Sequence, residues 1–203
     1  MLQNLQDSFY VNFIKENRWQ YLTDGLKVTL IVTFFAVIVG IVFGTLIAII
    51  RSTHDKTGKL TILDILARIY ITVIRGTPVV VQLMIIYFVI FASSDIDKTV
   101  VAVLAFGMNS SAYVAEIVRS GIMSVDSGQF EAGRSLGFNY IQTMRYIILP
   151  QALKNILPAL GNEFIVLLKE TSVSGYIALQ DLTKGGDIIR SRTFDAFMPL
   201  FAV

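Results

Sequence analysis

Apolar runs long enough to cross a membrane alternate with short polar ones along most of this chain. Residues 26–50 are the first: about 25 residues at 1.5 Å each exceed the ~30 Å of a hydrocarbon core. The charge in it, Lys27, stands at the end, where it can snorkel to the headgroups. Gly40 and Gly44 are four apart and predict a close helix contact. Residues 60–92 are too long for one straight span. Pro78 disfavours helix at Thr77 and removes a backbone donor, so a break is expected at Arg75, Gly76, Thr77 and Pro78. Ahead of that break Asp64, Arg68 and Arg75 share a helical stripe that should face protein or the interface, with Asp64 placed to pair with Arg68. Residues 100–123 form a third span, with Asn109, Tyr113, Glu116 and Ser120 on one stripe. A fourth, 158–179, is interrupted by Glu163, Lys169 and Glu170. A polar stretch, 180–192, follows. The apolar residues 194–203 are too few to cross and are expected to open a fifth span that continues past Val203. The pattern predicts an all-α polytopic membrane bundle of about five transmembrane helices.

The first 24 residues lack a basic segment followed by an apolar core, so they are not a cleavable signal. They read as an N-terminal interfacial segment, with Phe9, Phe13, Trp19 and Tyr21 at headgroup depth, ahead of a transmembrane domain covering 25–203. Cationic residues set the expected orientation. Arg51, Lys56 and Lys59 put the 51–59 loop in the cytoplasm, while the acidic loop 93–97 lies outside. Alternation then returns the polar loop 124–145 to the cytoplasm and leaves the N-terminus outside.

Composition narrows the chemistry. The chain has 203 residues, 54% hydrophobic and 16% charged, well under the ~25% charge of a soluble domain. A net charge of +2 with no basic tract gives no reason to expect a nucleic-acid partner. The absence of cysteine excludes a thiolate metal site, and the one histidine, His54, has no G-x-S-x-G or other nearby serine motif to form a triad with, so no catalytic or metal-ligating residues are assigned. No phosphate-cradling G-x-x-x-x-G-K-[ST] loop occurs, so this chain cannot itself hydrolyse ATP by the P-loop route.

The loop is the most informative polar segment. Glu131, Ala132 and Gly133 are followed by Gly137, then, nine residues on, by Ile147, Leu149 and Pro150. On a continuous helix Gly133 and Gly137 would share a face and leave it shallow, a socket for a docking partner. The plainer alternatives are a solvated helix-start charge for Glu131 and turn chemistry for the glycines. This spacing resembles the EAA loop of ABC importer permeases. Further blocks resemble the polar amino-acid branch of that family: Arg75 to Pro78; Ser111, Ala112, Tyr113, Val114, Ala115, Glu116 and Ile117; Ser124 and Val125; Gly128 and Gln129; and Leu167 through Ser172. Gly133 stands where a second alanine is usual, and Ser111 where glycine often precedes Ala-Tyr; both keep the side chain small.

The resemblance implies a type I importer fold in the prokaryotic cytoplasmic membrane. It implies two partner ATPase subunits, which would bind ATP and magnesium where this chain holds no cofactor, a second permease copy or paralogue, an extracytoplasmic solute-binding protein and an amino-acid substrate. It implies contact of Glu131, Ala132, Gly133 and Gly137 with the ATPase.

Glu163 carries the expectation about cargo. A carboxylate inside the bilayer costs about 2.5–3.5 kcal/mol on insertion scales, so it needs a partner or a wet cavity. A structural partner would be Arg75 or Arg119; a functional one would be the cationic side chain of a basic amino acid. Asn109 and Tyr113 are candidate lining residues beside it, with Glu116 more readily paired to Arg119. Thr171 and Ser172 are expected to bond back to the preceding helical turn and are weaker candidates for the path. The expected cargo is arginine, lysine or histidine; a glutamine or glutamate permease is the alternative, and a stand-alone secondary transporter a more distant one.

Overall fold

The computed structural model describes residues 2–203, with side chains from residue 5 onward. The chain is helical, with no strand among the described residues: α1 (Leu2–Phe9), α2 (Trp19–Thr57), α3 (Thr61–Gly76), α4 (Val79–Ile85), α5 (Lys98–Met123), α6 (Gly128–Ser135), α7 (Tyr140–Thr143), α8 (Leu149–Glu170), α9 (Leu182–Thr193) and α10 (Phe197–Phe201). Wide π turns extend α1, α4 and α7, and a 3-10 segment, Thr171–Ile177, follows α8. Among the described residues two helices, α2 and α5, are long and apolar enough to cross a membrane; α3 and Val79–Ile90, bent by 108° at the break between them, count as a third when the pair is taken as one span.

Several predicted limits move. The first span continues through the expected 51–59 loop, so α2 is 39 residues long. Arg51 therefore lies on a helix, 8% exposed, rather than in a loop. The fourth span starts earlier than expected, and Pro158 lies inside α8 instead of opening it. A membrane helix tolerates such a proline because its neighbours can satisfy the freed carbonyl. The polar stretch after 180 is itself a helix, α9, capped by the Asp181 carboxylate, which accepts from the Lys184 backbone N–H. The break at Thr77 and Pro78 is where expected: Thr77 is extended (φ −119°, ψ 144°) and α4 starts just after the proline.

The chain forms two compact units. One contains residues up to 35, 78–106 and 167–203; the other contains 36–77 and 107–166. In the second, small residues make the packing. Gly40 and Gly44 face α5 so closely that a Cβ on Gly40 would stand 2.6 Å from Ser110 Oγ, and one on Gly44 2.7 Å from the Ser111 carbonyl oxygen. Their expected close contact is thus with α5. Ala48, Val114, Val118, Ile122, Ile148, Ala152 and Ile156 form one core cluster. Large apolar side chains at Ile38, Val42, Leu46 and Ile49 point outward from α2 instead. Small inside and large outside is the pattern for a helix solvated by lipid.

In the first unit, α2 presses on α9. Gly25 packs against the backbone of Asp181 and Leu182, and Leu182 N–H donates to Thr29 Oγ1 at 3.1 Å. A Cβ on Gly25 would stand 2.7 Å from the Asp181 carbonyl carbon. Because the obstacle is backbone, Gly25→Ala is expected to cost about 1–3 kcal/mol. It should lower the unfolding temperature of the purified protein in detergent; an unchanged midpoint would show that α9 can move aside.

The N-terminal segment is tied to the same unit. Ser8 Oγ and Asn12 Nδ2 donate to Asp195 Oδ2 at 2.6 and 2.7 Å.

Candidate functional site

The 124–145 region folds as two short helices. α6 ends in a Schellman turn: Phe138 N–H donates to the Gly133 carbonyl at 3.0 Å and Gly137 N–H to that of Arg134 at 2.9 Å. Gly137 sits at φ +80°, the left-handed conformation this turn requires. α7 opens on a capping box, in which Asn139 accepts from Gln142 N–H while the Gln142 side chain accepts from Asn139 N–H.

This geometry corrects the expected shared glycine face. Gly137 lies in the turn, off the helix. Gly133 is buried, pointing at Thr143, where a Cβ would stand 2.7 Å from Cγ2. Gly133 lets α6 lie flat on the following helix; it does not form the outer surface. The outer surface holds Glu131 and Ala132, with Leu136 and Ile141 more than two-thirds exposed. Phe130 stacks with Tyr140 beneath it, their ring centres 6.5 Å apart, and Lys56 lies 4.5 Å over the Phe130 ring.

Next to this region an ion-pair network joins α2, α3 and α5. Arg68 pairs with Asp64 at 2.7 Å, as predicted, and with Asp55 at 3.5 Å; Arg119 pairs with Asp55 at 3.2 Å. Arg51 pairs with Glu116 and lies 3.8 Å from Asp64. The expected Glu116–Arg119 pair is therefore replaced by Glu116–Arg51, because the extended α2 brings Arg51 alongside α5. Three cations here meet three carboxylates, so the cluster is close to neutral. Arg51 consequently adds little free positive charge to the orientation argument, and Lys56 and Lys59 carry it.

Glu163 is 7% exposed on α8 and accepts from Ser110 Oγ at 2.8 Å. Neither expected cation is its partner: Arg75 lies over the Tyr113 ring at 5.0 Å, and Arg119 is held by Asp55. The stripe of the third span does not act together. Asn109 is buried, Tyr113 carries Arg75, Glu116 holds Arg51, and Ser120 bonds back to the Ile117 carbonyl. The residue that touches Glu163 is Ser110, which sequence reasoning passed over; its signal was a small hydroxyl next to Asn109 on a glycine-packed helix. Thr171 and Ser172 belong to the other unit. Thr171 Oγ1 donates back to the Leu168 carbonyl at 2.8 Å, as expected, and Ser172 is exposed. No cluster of three or more histidine, aspartate or glutamate side chains fit for a metal occurs among the described residues.

Residues 40–203 match the family described as binding-protein-dependent transport system inner membrane component. The glutamine transport system permease protein of Escherichia coli (strain K12) is 39% identical over 178 residues, 86% of this chain and 79% of that protein. The putative glutamine transport system permease protein of Rickettsia typhi is 39% identical over 182 residues, 89% of this chain and 81% of its own length. The crystal structure of an amino acid ABC transporter with histidines is 45% identical, with a TM-score of 0.82 over 93% of this chain and 87% of that one. An inward-facing structure of the MetNI methionine ABC transporter, 18% identical, shares the fold with a TM-score of 0.67. The chain belongs to the family of binding-protein-dependent transport system inner membrane components: it is a permease subunit of an ABC transporter, and ATP hydrolysis falls to a separate ATPase.

Proposed function

We propose that this permease imports a polar amino acid of the glutamine class by alternating access driven by its ATPase. The observation that carries the cargo is the set of relatives, 35–39% identical across bacterial groups, that are named as glutamine permeases. The buried carboxylate is compatible with that cargo. Glu163 can accept from the carboxamide N–H or the α-ammonium of glutamine while Ser110 holds it in place. The basic-amino-acid reading has one observation of its own, the related transporter crystallised with histidines, combined with a Glu163 that neither Arg75 nor Arg119 neutralises. Uptake of labelled glutamine into proteoliposomes, competed by glutamine, arginine, lysine and histidine in turn, separates the two. Strong competition by glutamine and weak competition by the cations supports the first reading, and the reverse supports the second.

Two ATPase subunits seat against two permease chains, this one and a copy or paralogue across a two-fold axis. A solute-binding protein delivers the substrate from outside. The seat is the outer surface of α6, its closing turn and α7, carried by Glu131, Ala132, Leu136 and Ile141, with Gly133 and Gly137 shaping it. ATP-driven closure of the ATPases moves α6, and its bond to α8 through the capped α7 transmits that movement to the helix bearing Glu163.

A further inference from the structure

The unit that holds Thr171 and Ser172 contains a cavity of about 310 Å³ that neither the coupling surface nor Glu163 uses. It is lined by Thr29, Lys169, Thr171, Ser172, Asp181 and Thr183 over an apolar floor of leucines. Asp181 is 1% exposed. One of its oxygens caps α9 through the Lys184 N–H at 2.9 Å, while Oδ2 is buried without a hydrogen-bond partner. A buried carboxylate oxygen left unpaired is costly, and a cap needs only one oxygen, so the cap does not account for the second. Burial pushes this carboxyl above its ordinary range, and its hydrogen bonds and the Lys184 charge offset that only in part. The opposite charge stands on the same cavity: Lys169 is exposed on the last turn of α8. Hydroxyls complete the set. Thr29 Oγ1 accepts from Leu182 N–H and keeps its own proton to donate, and Thr171 Oγ1 donates to Leu168 and keeps lone pairs to accept.

We propose that this cavity is a second substrate subsite, which takes an α-amino acid as its zwitterion, with the ammonium on Asp181 Oδ2 and the carboxylate on Lys169. A carboxylate and an ammonium lining one small cavity match the two charges every free amino acid carries, whatever its side chain. The leucine floor takes the side-chain methylenes. This subsite rests on the amino-acid reading of the cargo and adds to it a site that recognises the backbone of the substrate rather than its side chain.

The test is equilibrium dialysis of labelled glutamine against the purified complex of this permease with its ATPase, without binding protein. Asparagine caps helices as well as aspartate does, so Asp181→Asn removes the charge and keeps the fold. With the Glu163 site disabled by Glu163→Gln, residual saturable glutamine binding is expected, and adding Asp181→Asn should weaken it about tenfold or more. Lys169→Gln, an exposed change that cannot threaten folding in the same way, should weaken it similarly. Glutaramate, which lacks the α-ammonium, should compete poorly in the Asp181 form. Binding undiminished by both Asp181→Asn and Lys169→Gln overturns the subsite. Binding strengthened by Lys169→Gln also overturns it, because Lys169 would then be occupying Asp181 itself. If the unaltered complex does not bind glutamine, it is the cargo reading that fails.

Discussion

Glu163→Gln is expected to lower uptake of labelled amino acid by roughly 10- to 100-fold, while the complex assembles in normal yield and unfolds at the same or a higher temperature. A hydrogen bond to a charged group contributes about 1.5–3 kcal/mol, which sets the size of the uptake loss. The stability sign follows from where the carboxylate sits. An ionised acid inside a bilayer costs about 2.5–3.5 kcal/mol unless something repays it, and Ser110 brings a hydroxyl donor but no opposite charge. Glutamine keeps the shape, still accepts from Ser110 and removes the charge, so the folded protein loses little. Had Glu163 been half of a structural ion pair, the same change would orphan a buried cation and lower the unfolding temperature sharply. Uptake and stability moving in opposite directions therefore identify a substrate ligand. Equal loss of both would assign Glu163 to structure, and unchanged uptake would remove it from the path. Ser110→Ala should produce the same pattern more weakly, through the positioning bond alone.

Ala132→Arg is expected to abolish co-purification of the ATPase and to reduce ATP-driven uptake to background, with helix content and unfolding temperature unchanged. Ala132 lies on the exposed face of α6, so a long side chain there meets solvent in the isolated chain and a clash in the complex. It is a cleaner probe than Gly137, whose left-handed backbone makes any side chain cost about 1–2 kcal/mol before a partner is considered. It is also cleaner than Gly133, where a Cβ runs into Thr143 inside the chain itself. Retention of the ATPase by the Ala132→Arg protein at its usual level would move the docking surface elsewhere.

What could be read before the structure follows physical locality. The apolar runs, the break at Pro78 and the Asp64–Arg68 pair depend on one segment each, and all were legible. Arg51 was not, because its environment depends on α2 running on through polar residues to Thr57, where no apolar stripe marks the helix. Its pairing with Glu116 then displaced the nearer candidate, Arg119. The apolar run that marks the fourth span starts at 158, whereas α8 starts at Leu149 and runs through Pro158, which a membrane helix tolerates. Spacing placed Gly133 and Gly137 on one face and could not separate them: one meets a neighbouring helix and the other turns the chain left-handed, and both demand the absence of a side chain. Asp181 reads in the sequence as a cap, and one of its oxygens is a cap; only the cavity shows that the other is spare.

The most direct measurement is the accumulation of labelled glutamine in proteoliposomes that contain this permease, with and without its ATPase, ATP inside and binding protein outside. Accumulation above the external concentration that requires all three, and disappears with Ala132→Arg, is the predicted result. Equal accumulation in vesicles lacking the ATPase would contradict an ATP-driven importer.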